Sequence, residues 1–169
     1  MRHPRITALV ATVAMLAIVG IAGPALSDRS GRQMKADLRG FDEVPAVSST
    51  GTGNFLARLA HDESALEYTL SYEDLEGTTT TAAHIHLGQR GVSGGVSAFL
   101  CGGGGKPACP AVSGSVSGTI IAADVVGPAG QGIAAGELGE LIRAMRRDVT
   151  YVNVHTDKHP SGEIRGQLK

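Results

Sequence analysis

From Gly53 to Tyr72 the chain alternates in steps of two. Phe55, Ala57 and Leu59 are interleaved with Asn54, Leu56 and Arg58. After the turn residues His61, Asp62, Glu63 and Ser64, the residues Leu66, Tyr68, Leu70 and Tyr72 are interleaved with Glu67, Thr69 and Ser71. Successive strand side chains point to opposite faces, so this pattern predicts a half-buried hairpin. Residues 79–87, 95–101 and 113–121 read as three further strands, the last rich in Ser, Val, Thr and Ile. Residues 150–156 and 162–168 close the chain as a second hairpin across the turn residues 157–161. The period changes once: Leu138, Leu141, Ile142 and Met145 fall at i, i+3, i+4 and i+7, the apolar stripe of a short amphipathic helix near 137–147. Glu137 and Glu140 lie near its start and Arg143, Arg146 and Arg147 near its end, as the helix dipole prefers; the arginines read as a solvated helix end. Residues 28–37 are polar and read as a loose leader. The stretch FDEVPAV at 41–47 reads as an extended edge strand, because Pro45 has no donor to give a ladder. Short strands with glycine-rich turns and one helix predict a mainly β chain, a Greek-key β-sandwich.

The first residues follow neither period. Arg2, His3 and Arg5 precede an apolar run over 6–23, and Pro24-Ala25-Leu26-Ser27 supplies small residues for a cut after Ser27. This is the layout of a secretory signal peptide, with an uncleaved N-terminal anchor as the alternative. No twin-arginine pair precedes the run and no Cys stands at the cut, so a Sec-type signal fits, and a lipoprotein does not. Removing residues 1–27, whose charged side chains are Arg2 and Arg5, leaves 142 residues with 13 basic and 16 acidic groups and no second spanning run. That is one domain's worth of chain. The thin, balanced charge excludes a nucleic-acid partner. With 24 Gly among 169 residues and charge at 18%, the composition fits neither a coiled coil nor a disordered chain.

Cys101 and Cys109 are separated by the flexible stretch GGGGKPA. In an oxidising compartment they read as a loop-closing disulfide; a metal site on these two alone lacks further ligands. Lys106 is followed by Pro107, so the stretch is not a phosphate-binding loop. GVSGG at 91–95 matches the pattern around a hydrolase serine, but a strand rather than a helix follows, so it reads as a glycine-rich turn.

The chemistry gathers on one predicted sheet face. In AAHIHLG, His84 and His86 share a side. In TYVNVHT, Tyr151, Asn153 and His155 lie opposite Val152 and Val154. In GEIRGQL, Ile164 and Leu168 point inward, which sends Glu163, Arg165 and Gln167 outward. If these strands are neighbours, two readings compete. His84, His86 and His155 could hold Cu or Zn, since imidazole suits both metals. Alternatively, Asn153, Glu163 and Arg165 form with them a hydrogen-bonded polar network that ties the strands together. The near-neutral pKa of an unperturbed imidazole allows His155 a general-base role, but no nucleophile is evident.

The order EVPAV, AHIHLGQRG, YVNVHT and GEIRGQL resembles the CHRD domain, a module repeated in chordin and found singly in bacterial secreted proteins. The resemblance covers 34–169 and leaves 28–33 as a flexible leader. It implies an immunoglobulin-like or superoxide-dismutase-like Greek-key sandwich. It carries no catalytic residue set. The cysteine-rich modules that accompany the domain in chordin are missing here, so growth-factor binding is not implied. The functional expectation is a non-enzymatic binding or structural module outside the cytoplasm, with a protein or cell-envelope partner. The alternative is an extracytoplasmic metal-binding protein using the three histidines, in a redox or metal-handling role.

Overall fold

The computed structural model describes residues 32–169; the predicted signal segment and most of the leader lie outside the described residues. Eight antiparallel strands form one sheet: β1 (Gln33–Arg39), β2 (Thr52–Leu59), β3 (Ala65–Glu73), β4 (Thr80–Leu87), β5 (Val96–Cys101), β6 (Gly114–Ile121), β7 (Thr150–Thr156) and β8 (Ile164–Gln167). The spatial order is β5-β4-β7-β8-β1-β2-β3-β6. Two four-stranded leaves, β5-β4-β7-β8 and β1-β2-β3-β6, are therefore joined at β8–β1. That join has a single register pair, Arg39 with Arg165, reinforced by reciprocal backbone bonds between Lys35 and Lys169. The sheet folds there, so the inner faces of the two leaves pack together. Tyr68 of β3 reaches across the layer to donate to the Leu100 carbonyl of β5 at 2.7 Å.

The core follows from the period-two residues. Phe55, Ala57, Leu59, Leu66, Tyr68, Leu70 and Tyr72 from the first hairpin meet Ala83, Ile85, Ala98, Leu100, Val152, Val154 and Ile164 from the other leaf. Helix α1 (Leu138–Met145) buries the four residues of its predicted stripe, Leu138, Leu141, Ile142 and Met145. Its basic end is solvated and ion-paired: Arg143 meets Glu140, and Arg146 meets Glu63 at 2.6 Å. The disulfide between Cys101 and Cys109 is present. Residues 91–95 form part of the loop before β5, with no helix after Ser93.

Three local expectations need correction. Residues 33–37 are not leader but most of β1, in the middle of the sheet. Met34, Ala36 and Leu38 are buried between exposed Gln33, Lys35, Asp37 and Arg39, so the alternation was disguised by charge on the outer face. Residues 41–47 are not a strand. The amides of Glu43 and Val47 both donate to the Gly40 carbonyl, which turns the chain back on itself. Pro45, cis after Val44, adds no donor. Lastly, Glu163, Arg165 and Gln167 leave the hydrophobic core as expected but do not reach solvent; they are 0%, 2% and 9% exposed. Loops 40–51 and 88–95 roof over that face of β7 and β8.

The turn before β4 is tied to the β7–β8 turn by Asp157. Its carboxylate accepts from the Thr78 amide and hydroxyl at 2.8 and 2.5 Å, and from the Thr79 amide at 3.1 Å. These bonds stabilise the charged form and hold its pKa down at about 2. A group with a depressed folded pKa contributes stability above its unfolded pKa, near 3.9, and loses it as pH falls through the folded value. Between pH 4 and pH 2 the melting temperature of the protein should therefore fall more steeply than that of Asp157→Asn. Parallel pH–melting curves for the two chains would overturn this.

Candidate metal centre

Neighbouring strands bring the predicted polar residues together. In the β4–β7 register His84 lies opposite Asn153, His86 opposite Tyr151, and Ala82 opposite His155. In the β7–β8 register Asn153 lies opposite Arg165. Cross-strand and diagonal neighbours on one face are within side-chain reach, so the strand register brings His84, His86 and His155 to one place. One ring nitrogen from each lies within 4.8 Å of the others. His84 Nδ1 is 3.2 Å from His155 Nε2. His84 and His86 are buried and His155 is half-buried.

The other side of two rings is fixed by backbone carbonyls. His86 Nδ1 donates to the Gly94 carbonyl at 2.9 Å, and His155 Nδ1 to the Pro160 carbonyl at 2.9 Å. A carbonyl can only accept, so both rings carry their proton on Nδ1 and turn an Nε2 lone pair into the cluster. Burial is the main cause that lowers all three pKa values, to about 3 for His84 and about 4 for His86. The rings are accordingly neutral at pH 7, the state in which imidazole binds a metal.

The proton count is then short. His155 Nε2 stands 3.0 Å from Asn153 Oδ1, an acceptor. The Asn153 amide nitrogen is directed to Glu43, so the oxygen is the end that faces the histidines. His86 Nε2 is buried and makes no hydrogen bond of normal geometry, with Asn153 its polar neighbour. Lone pairs thus outnumber donors in a buried space, and a bound cation would satisfy them.

Glu163 and Arg165 do not occupy the space between the imidazoles. Glu163 accepts from the Ser49 hydroxyl at 2.7 Å, the Glu76 amide at 2.6 Å and the Thr156 hydroxyl at 2.6 Å. Burial works to raise its pKa, but these bonds outweigh it and hold the carboxyl below its usual range. Arg165 lies 3.4 Å over the ring of Tyr151, and that ring also makes a parallel stack on His86 at 4.7 Å. The guanidinium donates to the carbonyls of Gln89 and Val92 at 3.0 and 2.9 Å. Asn153 alone of the three predicted network residues borders the histidine cluster directly.

Sequence reading did not assign roles to Glu43, Gly94, Phe99 or Gly162. Phe99 sets its ring edge-on to His84 at 4.5 Å. Gly94 leaves no room for a side chain, since a Cβ would lie 1.6 Å from the Leu87 carbonyl oxygen, and its own carbonyl orients His86. At Gly162, with φ of +123°, a Cβ would strike the Glu43 carboxylate and the Asn153 amide. Burial raises the pKa of Glu43, while the bonds from Val44 and Asn153 oppose that rise. The motif EVPAV carried Glu43 as a visible signal; the carbonyls of Gly94 and Pro160 have no signature in side-chain identity.

Comparison with known proteins gives one positive result: the model of the CHRD domain matches residues 34–168. No curated protein and no solved structure matches the chain.

Proposed function

Because the chain belongs to the CHRD-domain family, we propose that it acts outside the cytoplasm as a non-enzymatic binding module holding one copper or zinc ion on His84, His86 and His155. The observation that carries the reading is the buried, unpartnered Nε2 of His86 in a cluster of three ring nitrogens within 4.8 Å. Among the described residues six buried side-chain atoms have no partner, and His86 Nε2 is the one set in a cluster of imidazole nitrogens, where a cation would satisfy it. The disulfide between Cys101 and Cys109 supports an oxidising compartment. The basic start and apolar run of residues 1–27 support export with a cut after Ser27. The partner of the module is a protein or a cell-envelope component.

Metal analysis of the purified mature chain tests the site. After loading and removal of excess ion, we expect about one copper or zinc per chain, and almost none in His86→Ala. His86→Ala should keep its circular dichroism, because the His86 ring is held by one backbone carbonyl and a stack rather than by the core. Sub-stoichiometric copper and zinc in both chains would overturn the metal site.

A further inference from the structure

Resting on the metal reading above, we infer that Asn153 Oδ1 is a fourth ligand, which makes the centre a closed, structural one. His84 and His86 stand at i and i+2 of β4, and Asn153 and His155 at i and i+2 of β7, with His84 directly opposite Asn153. Both pairs face the same way. Two ligand atoms held at about 2 Å by one tetrahedral ion are about 3.3 Å apart. His84 Nδ1 and His155 Nε2 are 3.2 Å apart, and Asn153 Oδ1 is 3.0 Å from the same Nε2. Asn153 is also the polar neighbour of the buried His86 Nε2.

A water completes three imidazoles equally well where there is room for it. Here that place is taken. An ion about 2 Å from His155 Nε2, on the side of the cluster, meets Oδ1 next, because Oδ1 is itself 3.0 Å from that nitrogen. Water enters only if Asn153 turns away, and its side chain is 3% exposed and held in place. The Asn153 backbone is paired on both sides, with His84 of β4 and Arg165 of β8. Its amide nitrogen is directed to the Glu43 carboxyl. Gly162 closes that side, where a Cβ would lie 2.9 Å from the Asn153 Nδ2.

The set suits both metals: zinc takes four ligands, and amide oxygens serve as weak additional ligands in copper sites. Four protein ligands leave no place for a substrate, which separates a structural centre from a catalytic one. With two ligands on each strand, the ion joins β4 to β7 in the middle of their leaf.

Cobalt(II) is the probe, because its visible absorption reports coordination number and ligand exchange. After loading the purified mature chain and removing excess ion, we expect about one Co(II) per chain and a tetrahedral spectrum that azide leaves unchanged. Asn153→Ala opens a position: affinity should fall about tenfold, and azide should shift the bands. Asn153→Asp combined with Glu43→Gln keeps an oxygen toward the ion and a donor behind it, so azide should again change nothing. Circular dichroism checks that each chain is folded. An azide shift in the wild-type or doubly substituted chain, or none in folded Asn153→Ala, would overturn the fourth ligand and leave the three-histidine site standing. So would a chain that takes up copper or zinc but gives no tetrahedral Co(II) spectrum. If copper, zinc and cobalt all fail to bind, the metal reading itself fails.

Discussion

Glu163→Ala should lose about 3 kcal/mol of stability, or unfold the chain at ordinary temperature. The carboxylate is fully buried and joins three segments: Ser49 from the loop before β2, the Glu76 amide before β4, and Thr156 at the end of β7. Truncation leaves the hydroxyl of buried Thr156 without its acceptor and opens a void where two carboxylate oxygens stood. Hydrogen bonds to charged groups contribute roughly 1.5–3 kcal/mol each, and removal of a shared acceptor is less than additive. Glu163→Gln keeps one acceptor oxygen and should lose about half as much. The carboxyl pKa is depressed in the fold, so its contribution is present above the unfolded value and fades as the pH falls below it. The gap between the wild-type and Glu163→Gln chains should therefore shrink in acid. Urea unfolding at pH 7 and pH 3 measures both effects. A loss below about 1 kcal/mol for Glu163→Ala would show that these loops are held by something else.

Arg165→Ala should be similarly costly, about 3–5 kcal/mol, for a different reason. Arg165 is among the largest fully buried side chains, and its guanidinium supplies both donors that hold the Gln89 and Val92 carbonyls. Without it, loop 88–95 loses its anchor and Tyr151 loses the cation over its ring. Arg165→Lys should restore little, because an ammonium cannot lie flat on Tyr151 and donate to two carbonyls in the guanidinium plane. Hydrogen exchange provides the local readout: amides of residues 88–95 should lose protection in both variants, while those of the β2–β3 hairpin change only with global stability. Unchanged protection in that loop would refute the anchoring role.

The two variants probe the part of the molecule that alternation alone misdescribed. Period two correctly separated Val152, Val154 and Ile164 from Asn153, His155, Glu163 and Arg165. It says which residues share a face but not what covers that face. A polar face of a half-buried sheet is expected to be wet, and only the roofing loops, drawn in by Glu163 and Arg165, make this one dry. The misread leader has the same origin. Met34, Ala36 and Leu38 alternate, yet the charged outer face of β1 made the segment look polar until its neighbours β2 and β8 were in place.

Local chemistry along the chain was enough to determine the hairpins, the amphipathic helix, the cysteine pair and the candidate histidines, because each depends on spacings of a few residues or on one short loop. Strand order, burial of the polar face and convergence of the histidines depend on contacts between residues far apart in the chain. His84 and His155 are 71 positions apart, yet their ring nitrogens meet at 3.2 Å. That meeting is set by the pairing of β4 with β7, and its lone pairs are aimed by backbone carbonyls that every residue type possesses. Backbone groups of that kind acquire a role only through where the fold carries them, which is why the tertiary structure alone could decide that the three histidines form one cluster.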